Sequence, residues 1–397
     1  MDKHSFAHKL KNEPIINSHA HHRPDFVHHG LDLEGVLRNS YVAWCGKLIP
    51  EDVSNKGAVD AWLKAVRSRS YFVWLEKSLM ELYEIEQPLS ANSWSIYDEA
   101  IINAHQDKTW HLNIQRKNCG YEAVVQDTYW NPGQDNGHPE IFKAAYRFNS
   151  FFYGYDFKAK DHNGLNIQIM HNRSITSIEE YVHFLSEVLH EAKVRGSVGL
   201  KCALAYDRSL HFPKASAKEA QKGMEKGASL DDIQKFQSYI FDHVCSEAAR
   251  LNLPIQVHTG LGLMKQSGAI ELQSLIERNP DTKFLLMHGS FPWVGDIAGL
   301  THVYPNVWAD ICWLPIISTT AASNLLHQLI DVCDADRVIW GCDTHVSEES
   351  FGAKLAFLHV LSSVLQERID AGLMHRDAAE EYAKAIMHDN AAKVFNL

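Results

Sequence analysis

The chain is 397 residues long, with 45% hydrophobic and 22% charged residues and a formal net charge of −11. That is enough apolar material for a large core, and the mixed charge excludes a disordered chain. The acidic balance and the lack of Lys/Arg runs exclude a phosphate-binding stripe, so nucleic acid is not an expected partner. No apolar run is long enough to span a bilayer. The polar start MDKHSFAHKLKNEP lacks the apolar centre of a signal peptide. The expectation is a cytoplasmic protein that handles a small molecule, without membrane contact.

Seven cysteines (45, 119, 202, 245, 312, 333 and 342) include no Cys-x-x-Cys pair. A disulfide framework and a zinc site of the usual spacing are both disfavoured, and most of these thiols read as small core residues. The 24 histidines are the unusual count.

Eight short, apolar, β-rich runs recur in chain order: Ile15–His21, Tyr121–Asp127, Phe148–Gly154, Val198–Asp207, Pro254–Gly260, Lys283–Gly289, Val307–Trp313 and Val338–Thr344. They read as buried parallel strands. Helical patterns separate them: Ser177–Arg195, N-capped by Ser177, then Leu230–Asn252, Ala269–Asn279, Ala321–Cys333, Glu348–Ala371 and Asp377–Leu397. Eight strands with helices after most of them predict an α/β fold, a (β/α)8 TIM barrel making one domain of residues 1–397. A doubly wound open sheet is the alternative, but Gly260-Leu261-Gly262 is only a fragment of its glycine-rich turn. Residues 30–118 form an insertion between strands one and two. It is Trp- and Tyr-rich, with helical patterns over Val73–Ile85 and Ile96–Asn118. It reads as a lid over the barrel mouth or as an interface between copies in a homo-oligomer.

The chemistry gathers at strand ends. Strand one ends Ser18-His19-Ala20-His21. Alternation puts His19 and His21 on one face, where two imidazoles can chelate a divalent metal. Strands five, six and eight end with His258, His288 and Asp343, each at the end where barrel enzymes keep their chemistry. Lys201 lies inside apolar strand four, where an unpaired ammonium is costly and burial lowers its pKa. It reads either as a reactive amine, open to carbamylation by carbon dioxide, or as the partner of a carboxylate such as Asp343. Arg208 and Arg23 could each grip a substrate carboxylate or pair with a surface acid. His171 and Trp313 fall at the same barrel end, as lining or packing. Asp310 on strand seven is left outside the first shell.

His-x-His on strand one, Lys on four, His on five and six and Asp on eight together resemble the amidohydrolase superfamily. More narrowly, Leu200–Arg208, His258-Thr259-Gly260-Leu261-Gly262 and Met287–Asp310 resemble the FluG-type branch of the amidohydrolase-2 family. In that branch a similar domain can be fused to a glutamine synthetase-like domain; the 397 residues here are expected to be the barrel alone. The resemblance implies one or two divalent ions, zinc above all. His19, His21 and Asp343 would hold the more buried ion, His258 and His288 a second, and carbamylated Lys201 would bridge them. With a single ion, His258 joins the first set and His288 donates to the developing oxyanion. The implied activity is metal-dependent hydrolysis of a C–N or C–O bond (amide, lactone or ester) in a small carboxylated substrate by metal-activated water, with Asp343 as acid–base and His288 beside it. The alternatives are a non-oxidative decarboxylase, a uronate-isomerase-like enzyme and, outside catalysis, a scaffold that keeps its metal for stability.

Overall fold

The computed structural model describes residues 9–44 and 46–397, so Cys45 and the first eight residues lie outside the described residues. Eight parallel strands run in chain order: β1 (Ile15–Ala20), β2 (Tyr121–Gln126), β3 (Phe142–Arg147), β4 (Gly199–Cys202), β5 (Ile255–Val257), β6 (Phe284–Leu286), β7 (Val307–Asp310) and β8 (Val338–Ile339). Each pairs with the next. The chain after β8 closes the ring onto β1. Ser18 N–H donates to Trp340 C=O at 3.0 Å, Asp343 N–H to His19 C=O at 2.8 Å and His21 N–H to Thr344 C=O at 3.0 Å. This seam is tight: a Cβ on Gly341 would lie 2.5 Å from His19 N. Closure removes the free edges of a sheet this size. The barrel expectation holds, and the open sheet is excluded.

Seven of the eight expected strands fall on observed ones. The third does not. The strand is Phe142–Arg147, and Asn149–Tyr153 is a 3-10 turn. Phe148, Phe151 and Phe152 recur at helical spacing and pack in the core, which a strand over 148–154 could not do. The Ala-rich FKAAYR run carries a weaker strand signal.

Outer helices bury their apolar stripes against the barrel. Ser177 caps the Ile178–Val194 helix by accepting from Glu180 N–H, and Asn252 ends the Leu230–Leu251 helix in the left-handed conformation. At the N-terminal mouth, Ala391, Val394 and Phe395 of the last helix pack on Ile16, Val125, Leu285 and Ile339, sealing that end with apolar side chains. The other end, where β1 and its neighbours finish, keeps the polar residues.

Between β1 and β2 lie the helices Leu33–Arg38, Lys56–Val66, Ser70–Leu82 and Trp94–Ala104. They share a core of their own, including Leu33, Val59, Trp62, Phe72, Leu79, Trp94 and Tyr97, which meets the barrel chain at Val346. Two consecutive buried glutamates at the start of the Ser347–Asp370 helix tie this unit down. Glu349 Oε1 accepts from Tyr41 N–H at 2.6 Å. Glu348 Oε1 accepts from Tyr83 Oη at 2.8 Å and from His105 Nε2 at 2.7 Å.

Burial alone would raise the Glu348 carboxyl, but the hydrogen bond and charge of His105 hold it at about 2. Burial likewise opposes the His105 cation, yet Glu348 raises it above 6.5. A depressed acid stabilises above its unfolded value near 4.5 and loses that contribution as pH falls; a raised base stabilises below 6.5 and loses it as pH rises. The stability gap between wild type and Glu348→Gln, measured by urea denaturation across pH, should therefore peak between pH 4.5 and 6.5, at about 3 kcal/mol. A gap that does not change with pH would contradict this.

Candidate metal centre and substrate cavity

His19 sits on β1 and His21 just beyond it, with both side chains facing the open end. The partners of their Nδ1 atoms fix the tautomers. Gln256 Nε2 donates to Ser18 C=O at 2.7 Å, which turns Gln256 Oε1 toward His19 Nδ1 at 3.1 Å. His21 Nδ1 donates to Asp127 C=O at 2.8 Å. Each ring therefore presents its Nε2 lone pair inward. These nitrogens lie 3.4 Å and 3.2 Å from Asp343 Oδ1. That carboxylate oxygen is buried and has no hydrogen-bond partner. Three acceptors converge; Lys201 Nζ stands 3.3 Å from His19 Nε2, but Asp343 Oδ1 has no hydrogen-bond partner, and a divalent cation would satisfy all three. The residues present thus fit a bound metal.

His258 and His288 stand across the barrel. His258 Nε2 donates to Leu261 C=O, so its Nδ1 faces His288 Nε2 at 2.9 Å. His288 Nδ1 lies 3.3 Å from Cys312 C=O and 3.7 Å from Asp343 Oδ2. With Nδ1 as the donor, the two imidazoles also point lone pairs at each other, a second place for a cation. Burial, then nearby positive groups including Lys201, holds His19 and His258 well below 6.5; for His288 the order is burial, His258, Lys201. All three are neutral at pH 7, the form that binds metal. His288 and Asp343 both adopt positive φ, 63° and 59°. Strain of about 1–3 kcal/mol at each is held by the surrounding barrel to aim these side chains.

Lys201 on β4 is fully enclosed. Its Nζ reaches Met287 Sδ at 2.7 Å and His19 Nε2 at 3.3 Å. Among the described residues no carboxylate lies within ion-pair distance, so the expected alternative of a Lys201–Asp343 pair is not formed. Burial, only partly offset by Asp343 and Asp127, lowers its pKa. Asp310 stays beneath the site, accepting from Ser18 Oγ at 2.9 Å and from Cys312 N–H at 3.0 Å, and burial raises its carboxyl to about 7.

A cavity of about 280 Å³ opens over these groups, lined by His21, Lys201, His258 and Asp343 below and by Tyr41, Trp44, Tyr129, Tyr206 and His345 around the sides. Tyr41 and Trp44 come from the 30–118 segment. Arg147, at the end of β3, completes the wall with His162 and Asn163. Its Nε and Nη2 hold Asp127 at 3.0 and 2.6 Å. Burial works against this acid, but Arg147, His21 and Lys201 together hold it below the usual carboxylate range.

Of the expected residues, His19, His21, Lys201, His258, His288 and Asp343 come together. Trp313 packs beneath them, its ring 5.2 Å from His288 and 4.7 Å from Tyr41. Trp313 does not line this cavity, and neither do the other three residues expected to meet substrate. Arg208 spends its guanidinium on Gln237 Oε1 at 2.6 Å and on the carbonyls of Ser209 and His211, over the Phe212 ring; Asp207 pairs with His162 instead. His171 ends the short Ile167–Met170 helix, exposed, against Phe184. It does follow strand three, as expected, but away from the cavity. Arg23 lies over Trp130 and lines an adjoining cavity with Arg38 and Trp44. Missed by the sequence were Arg147 and Asp127. Asp127 closes the second strand run and was open to the same strand-end logic; Arg147 was hidden by the misplaced third strand. His345, two residues past Asp343, lies in the same chain segment but beyond the strand, where alternation no longer applies. Nothing local marked Tyr41, Trp44 or His162.

A parallel eight-stranded barrel that gathers imidazoles, a lysine and carboxylates at the C-terminal ends of its strands has the frame of a barrel enzyme. The chain belongs to the amidohydrolase family, Amidohydro_2, whose model matches residues 185–397, more than half of the sequence. It is 32% identical over 153 residues to the protein fluG of Emericella nidulans, a match that takes in 37% of this chain and 18% of that protein, so the chain spans under a fifth of that relative's length. Two solved structures share the fold along nearly the whole chain. One, a Lactobacillus casei protein assigned as a metal-dependent hydrolase, is 17% identical with a TM-score of 0.73, covering 98% of this chain and 97% of its own. The other, a uronate isomerase from Thermotoga maritima, is 15% identical with a TM-score of 0.76, covering 99% and 97%.

Removing one side of the buried Asp127–Arg147 pair leaves an uncompensated charge. Asp127→Asn should cost about 3–5 kcal/mol in denaturant unfolding. A cost below about 1 kcal/mol would show that water, not Asp127, carries the guanidinium.

Proposed function

We propose that this chain is a metal-dependent hydrolase that cleaves a C–N or C–O bond (amide, lactone or ester) of a small carboxylated substrate. One observation carries the reading: unpartnered Asp343 Oδ1 faces the two Nε2 lone pairs of His19 and His21. These three hold the first divalent ion, and zinc suits this nitrogen and oxygen set. A bound ion polarises the scissile carbonyl and brings the pKa of water toward about 7. Asp343 takes the proton of the attacking water and returns it to the leaving group. Lys201, buried and without a carboxylate partner among the described residues, would add carbon dioxide through its neutral amine, lose a proton to solvent and become a carbamate. The carbamate oxygens, with His258 and His288, would then be the groups to hold a second ion. Without the carbamate there would be one ion, and His288, in the tautomer that carries its proton on Nε2, would donate to the developing oxyanion.

The cavity of about 280 Å³ suits a small substrate. Arg147, which lines the cavity and keeps its Nη1 off Asp127, would meet the substrate carboxylate, rather than Arg208. Tyr41 and Trp44 bring the 30–118 helices to the cavity as its lid. Among the described residues no helix is long and apolar enough to cross a membrane, and the described cysteines are all free. Free thiols suit a reducing compartment, and we place the protein in the cytoplasm.

The test is turnover of a panel of carboxylated lactones, esters and amides in ¹⁸O-water. One solvent oxygen should enter the product. Asp343→Asn should abolish turnover, and Arg147→Met should raise KM by about 10–100-fold, the worth of a charge-assisted hydrogen bond. Turnover confined to uronates, without solvent oxygen in the product, would replace hydrolysis by isomerisation; carbon dioxide release from an acid would replace it by decarboxylation.

A further inference from the structure

A second group of histidines lies beside the barrel centre, where the chain leaving β1 meets the end of the inserted helices. His22 follows His21, His28 ends the Asp25–His28 turn, and His111 lies in the Trp110–Asn113 turn. One ring nitrogen from each lies within 4.8 Å of the other two. All three are buried, at 2%, 1% and 1% exposure. His22 Nε2 meets His111 Nδ1 at 2.9 Å, and His28 Nε2 donates to Arg23 C=O at 3.1 Å. That leaves His28 Nδ1 and His111 Nε2 buried with no hydrogen-bond partner. Asp25 Oδ1 stands 3.6 Å from His111 Nε2, on a carboxylate that is 45% exposed and held by His138 Nε2 at 2.9 Å.

Packing alone does not account for this choice of residues. The His28 and His111 rings stack with centroids 4.2 Å apart, and those of His22 and His28 4.5 Å apart. Phenylalanine would stack as well without burying two unpaired nitrogens, each costing about 1–3 kcal/mol. Burial, reinforced in His28 by His111, holds the His28 ring at about 3; burial likewise holds His111 at about 4 against the pull of Asp25. Both are neutral at pH 7, as a metal ligand must be.

We propose that His22, His28 and His111 form a second cation site, separate from the barrel centre, for a divalent ion of the zinc class, with Asp25 as the oxygen donor on the solvent side. Zn–N bonds of about 2.0–2.1 Å require the three nitrogens to close in. Because His28 and His111 stack face to face, one ring turns about its side-chain torsions as the ion enters. The bound ion joins the segment after β1 to the far end of the inserted helices, and its role is structural. This holds whether or not the barrel centre is a hydrolase.

Chelator-stripped protein titrated with zinc in a calorimeter tests it, using wild type, His19→Ala/His21→Ala and His28→Ala/His111→Ala. The His19/His21 variant should still take up zinc at the second site, and its melting temperature should rise on loading. The His28/His111 variant should bind one zinc fewer than wild type. An unchanged stoichiometry in a folded His28/His111 variant overturns the proposal. If circular dichroism shows that variant unfolded, Asp25→Asn takes its place in the His19→Ala/His21→Ala background. Zinc affinity lowered by about tenfold or more supports the site, and unchanged affinity overturns it.

Discussion

Asp343 Oδ1 has no hydrogen-bond partner, yet it is buried between two imidazole nitrogens that are themselves acceptors. An arrangement of lone pairs facing lone pairs is unfavourable in a low-dielectric interior unless a positive charge sits among them. Much of the surrounding structure serves to maintain it. Gln256 and the Asp127 carbonyl fix the ring tautomers. The β8–β1 seam carries Asp343 to His19, its N–H bonding the His19 carbonyl, and admits no side chain at Gly341. The positive φ of Asp343 turns the carboxylate inward. The apolar plug packs the opposite mouth.

The inserted helices are tied to this centre at more than one point. Glu349 holds the Tyr41 backbone and Glu348 holds Tyr83 and His105, so the helix that follows Asp343 also anchors the cavity wall. On the other side, His22 directly follows a residue of the centre and contacts His111 at the end of the insert. The aromatic rim is therefore carried by the same backbone segments that present the inward imidazoles and carboxylate. A shift in either would be felt by both.

The barrel and six of its polar strand-end residues were legible in the sequence because each rests on a local signal: an apolar run of strand length, ended by His, Lys or Asp. Period-two alternation correctly placed His19 and His21 together. Where local signals conflict, the sequence misleads. The Phe148–Tyr153 aromatics outweighed the true strand before them, and with that strand went Arg147. Arg208 shows a different limit. Proximity to a strand end does not decide where a long side chain points, and Gln237, on a distant helix, claims it. Tyr41 and Trp44 reach the cavity only through the tertiary packing of the insert, which no pattern in their own neighbourhood encodes.

The central claim is that a cation belongs between His19, His21 and Asp343. Crystals of zinc-loaded protein, with anomalous diffraction collected on both sides of the zinc edge, test it most directly. The account predicts a peak about 2.0–2.2 Å from His19 Nε2, His21 Nε2 and an Asp343 carboxylate oxygen. An ordered, fully loaded crystal with no anomalous density among these three side chains would contradict it.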